Sequence, residues 1–135
     1  MKLTLHHINL STDKVDEMDD FYRDVLMLER ETTGLPTLEK GKGYSGDVAF
    51  VTDGHIQTHL AERDVQAGFK TGQIVNPLER GHVAYRTDDL DAFKAHLEDK
   101  GVAYSDWEHT AVAGWRQIFF YDPDGNVIEV HQVDV

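Results

Sequence analysis

From Leu3 to Ser11 the side chains alternate: Leu3, Leu5, His7 and Asn9 fall on one face and Thr4, His6, Ile8 and Leu10 on the other, the period of a β-strand. The period then changes. Val15, Met18, Phe21, Tyr22, Val25 and Leu28 recur at three-or-four spacing, which predicts a helix with one apolar stripe turned to a sheet. Leu90, Phe93 and Leu97 repeat that spacing in a second helix. Asp13 and Asp88 stand where N-caps are expected, with Asp16 and Asp91 favoured by the helix dipole, and Gly101 is the expected left-handed C-terminal residue. Strands are predicted over 46–52 and 55–62 about the turn Asp53-Gly54, and over 115–121 and 126–133 about Asp122-Pro123-Asp124-Gly125. Shorter ones are expected near 29–33 and 102–105.

The pattern repeats. His7-Ile8-Asn9-Leu10-Ser11-Thr12-Asp13-Lys14-Val15-Asp16 returns 75 positions later as His82-Val83-Ala84-Tyr85-Arg86-Thr87-Asp88-Asp89-Leu90-Asp91, with the His, the Thr and two Asp identical. Each half therefore reads β-α-β-β-β. One domain over 1–135 is expected, with module one at 1–64, a polar connector at 65–79 able to bridge or cover, and module two at 80–135. Four strands cannot bury both faces alone. The expected fold is α+β: two βαβββ modules forming a curled, partly open mixed β-sheet barrel with helices outside, and a concave inner face as its cavity.

Composition narrows the function. The chain of 135 residues has 25 acidic against 13 basic residues, a formal charge of -12 that repels phosphate backbones and anionic lipid, so neither nucleic acid nor membrane is an expected partner. No Cys means no disulfide, thiolate ligand or cysteine nucleophile. The first residues carry no long apolar run and no later stretch reaches a membrane span, so a cytoplasmic location is expected. Any metal must rest on imidazole, carboxylate, amide or hydroxyl groups.

Among eight histidines, His96 on a polar helix face, His109 in a loop and His55 beside a turn glycine read as solvated, and strand parity turns His6 away from His7. His7 and His82 differ because they are equivalent positions of the repeat, which a two-fold arrangement brings together. Glu129 sits inside an otherwise apolar last strand, where a carboxylate is costly unless paired or bound to a cation. Two imidazoles and a carboxylate make an open site for one divalent ion, Zn, Ni, Mn, Fe or Co. The first-half counterpart of Glu129, aligned through the hairpin glycines with one extra residue, is His59, a candidate fourth ligand; without that residue it is Thr58. Trp115, Arg116, Gln117, Phe119 and Tyr121 are candidates to line the cavity and contact a small-molecule substrate. Asn9 shares the face of His7, and His131 shares that of Glu129 as a partner or substrate contact.

Three segments carry a resemblance. His7 with Phe21-Tyr22-Arg23-Asp24-Val25-Leu26, His82-Val83-Ala84-Tyr85, and Phe119-Phe120-Tyr121-Asp122-Pro123-Asp124-Gly125-Asn126-Val127-Ile128-Glu129 resemble the vicinal oxygen chelate superfamily of glyoxalases, bleomycin-resistance proteins and extradiol dioxygenases, over nearly the whole chain. The resemblance implies a metal that holds two substrate oxygens and steadies an enediolate, in a glyoxalase-I-like lyase or isomerase with Glu129 as ligand and proton carrier. It also implies that Met27 replaces the usual Gly. The catalytic Glu of the glyoxalase I pattern is replaced by His59 or Thr58, which makes His59 the candidate at that catalytic position. A fosfomycin-type transferase with a thiol co-substrate, a ring-cleaving dioxygenase and a non-catalytic binding protein are the alternatives. A homodimer is expected.

Overall fold

The computed structural model describes residues 2–36, 44, 46–109, 112–123 and 126–134. Eight strands form one open mixed sheet in the order β2-β3-β4-β1-β5-β8-β7-β6. The centre of the sheet is β1 (Thr4–Thr12) antiparallel to β5 (Gly81–Arg86), the two copies of the repeat. Ile8 pairs with Val83, so the pseudo-two-fold axis passes between these equivalent residues, and Asn9 pairs with His82 as His7 pairs with Ala84. Parallel strands flank the centre: β4 (Gln57–Glu62) on β1, and β8 (Val127–Val133) on β5. β3 (Val48–Thr52) with the two-residue β2 (Glu29–Arg30) continues one wing, and β7 (Trp115–Tyr121) with β6 (Ser105–Glu108) the other.

On the convex side α3 (Leu90–Asp99) buries Leu90, Phe93 and Leu97 against Ile118 and Val130, as its spacing predicts, and Gly101 follows in the left-handed conformation at φ 72°. The predicted N-cap is displaced by one residue. Asp89, not Asp88, accepts from the Ala92 amide, and α1 (Val15–Asp24) has no side-chain cap from Asp13. The repeated Thr supplies the turn instead: Thr12 accepts from the Lys14 amide at 3.0 Å and Thr87 from the Asp89 amide at 3.2 Å. α1 also departs from its expected stripe. Its buried residue is Asp19, gripped by Arg23 and Arg30, while Phe21 and Val25 stay exposed. The pairing of Asp19 outweighs the apolar spacing, because a buried carboxylate must keep its cations.

The 65–79 segment is not a bare connector. It forms the short helix α2 (Ala67–Thr71) and packs Ala67, Val75 and Leu78 with Trp107, Phe119 and Val127 on the concave side, closing one end of the cavity. No helix among the described residues is long and apolar enough to cross a membrane.

Candidate metal centre

The pairing about the pseudo-axis delivers the histidines. His7 on β1 and His82 on β5 project into the same concavity, with ring centroids 5.6 Å apart. Glu129 of β8 lies opposite Ala84 of β5, and His59 of β4 lies opposite Asn9 of β1, so His59 occupies the position related to Glu129 by the repeat. All four are buried. Ligand atoms of His7, His82 and Glu129 lie within 4.8 Å of one another, the geometry of a mononuclear site.

The donor chemistry asks for a cation there. His82 Nδ1 lies 2.9 Å from the Pro77 carbonyl, which can only accept, so the ring proton belongs on Nδ1. His82 Nε2 then turns its lone pair toward Glu129 Oε1 at 3.0 Å. Two electron-rich atoms at that distance need positive charge between them, from a proton or a metal ion. His7 Nε2 approaches the same oxygen at 3.6 Å. The residues present therefore fit a divalent ion.

The other carboxylate oxygen is already engaged. Arg86 Nε donates to His131 Nε2 at 2.9 Å, and since an arginine has no lone pair to offer, His131 must carry its proton on Nδ1. That Nδ1–H donates to Glu129 Oε2 at 2.7 Å. Burial by itself raises the Glu129 carboxyl, but the neighbouring His7 and the hydrogen bond donated by His131 outweigh it and hold the group well below the usual carboxylate range. Arg86 also donates to His6 Nε2 at 2.9 Å and lies over the Trp115 ring at 5.1 Å.

Strand parity alone misplaces His6. The register of β1 on β5 shifts between Leu5 and His7, a bulge that turns His6 toward the site, where its Nδ1 meets His7 Nδ1 at 2.8 Å. With His6 Nε2 accepting from Arg86, His6 donates to His7, leaving the His7 proton on Nε2, the nitrogen nearer Glu129. His6 escapes a sequence reading for this reason, since two adjacent histidines do not reveal a bulge.

The remaining candidates divide. Trp115, Gln117, Phe119, Asn9 and His59 line a cavity of about 60 Å³ with the three ligand residues, its other walls including Tyr44, Phe50 and Trp107. Asn9 Oδ1 and Gln117 Oε1 are buried there without a hydrogen-bond partner among the described residues. His131 is wholly buried, stacked on Trp115 at 4.1 Å and bonded to Glu129 rather than open to the cavity. Arg116 does not reach it: Asp91, Asp134 and Gln132 hold its guanidinium. Tyr121, half exposed at the end of β7, edges a separate cleft with Ile128 and Asn126. His59 is not among the three converging ligands. Gln57 donates to the Gly34 carbonyl at 3.3 Å, which turns its oxygen to His59 Nε2 at 2.7 Å, and the ring stacks on His7 at 3.9 Å. His55, His96 and His109 are exposed, as their sequence positions suggest.

Comparison with known proteins follows the same line. The family model of the Glyoxalase/Bleomycin resistance protein/Dioxygenase superfamily matches residues 4–130. Glyoxylase I 4 of Arabidopsis thaliana is 24% identical over 133 residues, 97% of this chain and 71% of the relative. Among solved structures, a hypothetical protein from Bacillus halodurans C-125 superposes with a TM-score of 0.71 at 16% identity, covering 100% of this chain and 97% of that one. Methylmalonyl-CoA epimerase from Mycobacterium tuberculosis gives 0.69 at 20% identity, over 97% of this chain and 88% of that one. Likeness at these identities is a likeness of fold.

Proposed function

The chain belongs to the glyoxalase/bleomycin resistance protein/dioxygenase superfamily, and from that premise we propose that it is a divalent-metal-dependent lyase or isomerase of glyoxalase type acting on a small oxygen-chelating substrate. The observation that carries the reading is the buried convergence of His7, His82 and Glu129, in which a fixed His82 lone pair faces a carboxylate oxygen. His7, His82 and Glu129 would hold the metal. When bound, it would supply Lewis-acid stabilisation of negative charge developing on a substrate oxygen.

The chain's own residues supply the rest. His59 is the proton carrier of the first half. Burial, and then the neighbouring His7, hold its pKa well below 6.5, so the ring is neutral. With Nε2–H donated to Gln57, Nδ1 is its basic atom, suited to take a proton from carbon next to a carbonyl. Glu129 is the candidate carrier on the opposite side. The unpartnered amide oxygens of Asn9 and Gln117 would accept from the polar end of the substrate, while Trp115 and Phe119 exclude water from it. Proton removal beside a carbonyl is also the chemistry an epimerase requires, so the folds alike in structure share this demand. The exposed Phe21 of α1 and Val25 just after its end support a second copy of the chain as a partner.

Elemental analysis of the purified protein is expected to give about one divalent ion per chain. His7→Ala and His82→Ala should each abolish its binding, and His96→Ala should not. A metal-loaded protein should exchange the carbon-bound proton of glutathione–methylglyoxal hemithioacetal with deuterated solvent, and His59→Ala should slow that exchange by roughly 100-fold or more. Absence of bound metal, or equal effects of all three alanine variants, contradicts the reading.

A further inference from the structure

We propose that Arg86 is a positioning residue for the metal centre, acting through His131 to fix the orientation of the Glu129 carboxylate. The inference rests on the metal-dependent reading above. It assigns a role to a residue whose guanidinium bonds to His131 and His6 and that lies 43 residues before Glu129 in sequence.

A carboxylate can turn about its last bond and offer either oxygen to an ion, so a site with one carboxylate ligand gains from holding the other oxygen. His131 does this with Nδ1–H at 2.7 Å, but a neutral imidazole has two tautomers, and only one of them donates from Nδ1. The alternative tautomer would set a lone pair against Glu129 Oε2. Arg86 removes it: Nε–H at 2.9 Å from His131 Nε2 occupies that nitrogen as an acceptor. The guanidinium is itself pinned on two further sides, by His6 Nε2 at 2.9 Å and by the Trp115 ring face at 5.1 Å.

Register makes the arrangement possible. Arg86 on β5 and His131 on β8 are paired residues in the parallel ladder, as Ala84 and Glu129 are two positions earlier, so the relay runs along one edge of two adjacent strands. Among the described residues the first half has no equivalent. Its counterpart of Arg86 by the repeat is Ser11, which has no such chain of donors, and the counterpart of Glu129 is His59, held by Gln57 instead. The device thus accompanies the one carboxylate of the site.

The test is the affinity of the full chain for Zn(II), measured by competition with a chromophoric chelator, in the wild type, Arg86→Gln, His131→Phe, His131→Asn and the Arg86→Gln/His131→Phe double variant. Each is first checked for a cooperative melt. Arg86→Gln is expected to weaken Zn(II) roughly 10-fold and His131→Phe roughly 10- to 100-fold. The double variant should lose less affinity than the two single losses combined, because the share of the Arg86 effect that runs through His131 is already gone, while its bond to His6 is a separate contact. His131→Asn, whose amide N–H can stand near the position of Nδ1–H, should recover most of the loss seen with Phe. Wild-type affinity in a folded Arg86→Gln, or losses that simply add in the double variant, overturns the proposal while leaving the metal centre intact. A wild type that binds no Zn(II) overturns both.

Discussion

His82 has no choice of tautomer when neutral, and that constraint asks for positive charge beside Glu129, from a proton or a metal ion: its Nδ1 is bound to a carbonyl and its Nε2 faces a carboxylate. The neighbouring rings are kept uncharged. Burial first, then the Arg86 charge, push His6 from 6.5 down to about 3, and burial also lowers His7 and, further, His59. These three rings stay neutral when folded but protonate in the unfolded chain near the ordinary 6.5. The unfolded state therefore binds more protons below that pH, and stability present above it is lost as pH falls. Chelator-treated protein should melt lower at pH 5 than at pH 7.5, on the order of 5 °C or more; a flat profile across that range contradicts the buried neutral rings. Met27 is a second residue-scale case. It holds φ 57° and is 81% exposed, so a side chain sits in left-handed backbone and contributes little packing in return. Met27→Gly should stabilise the fold by about 0.5–1 kcal/mol, read from urea denaturation, and a loss of stability would show that the Met side chain matters after all. His7, His82 and Glu129 were legible in sequence as equivalents of a repeat and as a lone acid in an apolar strand. His6 was not, because a bulge of one residue reverses the parity on which its exclusion rests.

At the scale of elements, the centre depends on how closely β1 and β5 approach. Gly81 precedes His82 at φ 126°, and a Cβ there would stand 2.1 Å from the Asn9 carbonyl oxygen, which is backbone and cannot give way. Gly81→Ala should cost about 3 kcal/mol in chemical denaturation and displace His82 enough to impair metal binding. A variant with wild-type stability and affinity would contradict this account of the strand pair. β7 matches its predicted span, Trp115–Tyr121, because alternation and turn signals bound it on both sides. β6 does not: expected near 102–105, it runs Ser105–Glu108, since Val102 and Tyr104 pack against the α3 core before the strand begins. The α1 stripe was misleading for a related reason. Helical spacing records which residues share a face, not whether an ion cluster such as Asp19, Arg23 and Arg30 takes the inner position. Part of the second hairpin turn, Asp124 and Gly125, lies outside the described residues.

For the molecule as a whole, duplication is the organising fact. A single pseudo-axis between Ile8 and Val83 sets both central strands, both flanking parallel strands and the meeting of two histidines from opposite halves. That much could be read from an offset of 75 residues, since equivalent positions near a two-fold must converge. What breaks the symmetry could not: Glu129 on one side and His59 on the other, each with its own support, give a cavity lined by one carboxylate and one neutral imidazole. The 65–79 segment was likewise read as connector, and its inward packing follows from Ala67, Val75 and Leu78, too few and too widely spaced to stand out as an element. X-ray absorption at the zinc edge of protein loaded with one equivalent of Zn(II) is the most direct measure of the whole account. It should show a first shell containing two imidazole nitrogens and a carboxylate oxygen, with one imidazole lost in His82→Ala. A shell of oxygens alone, or an ion that stays in solution, would contradict it.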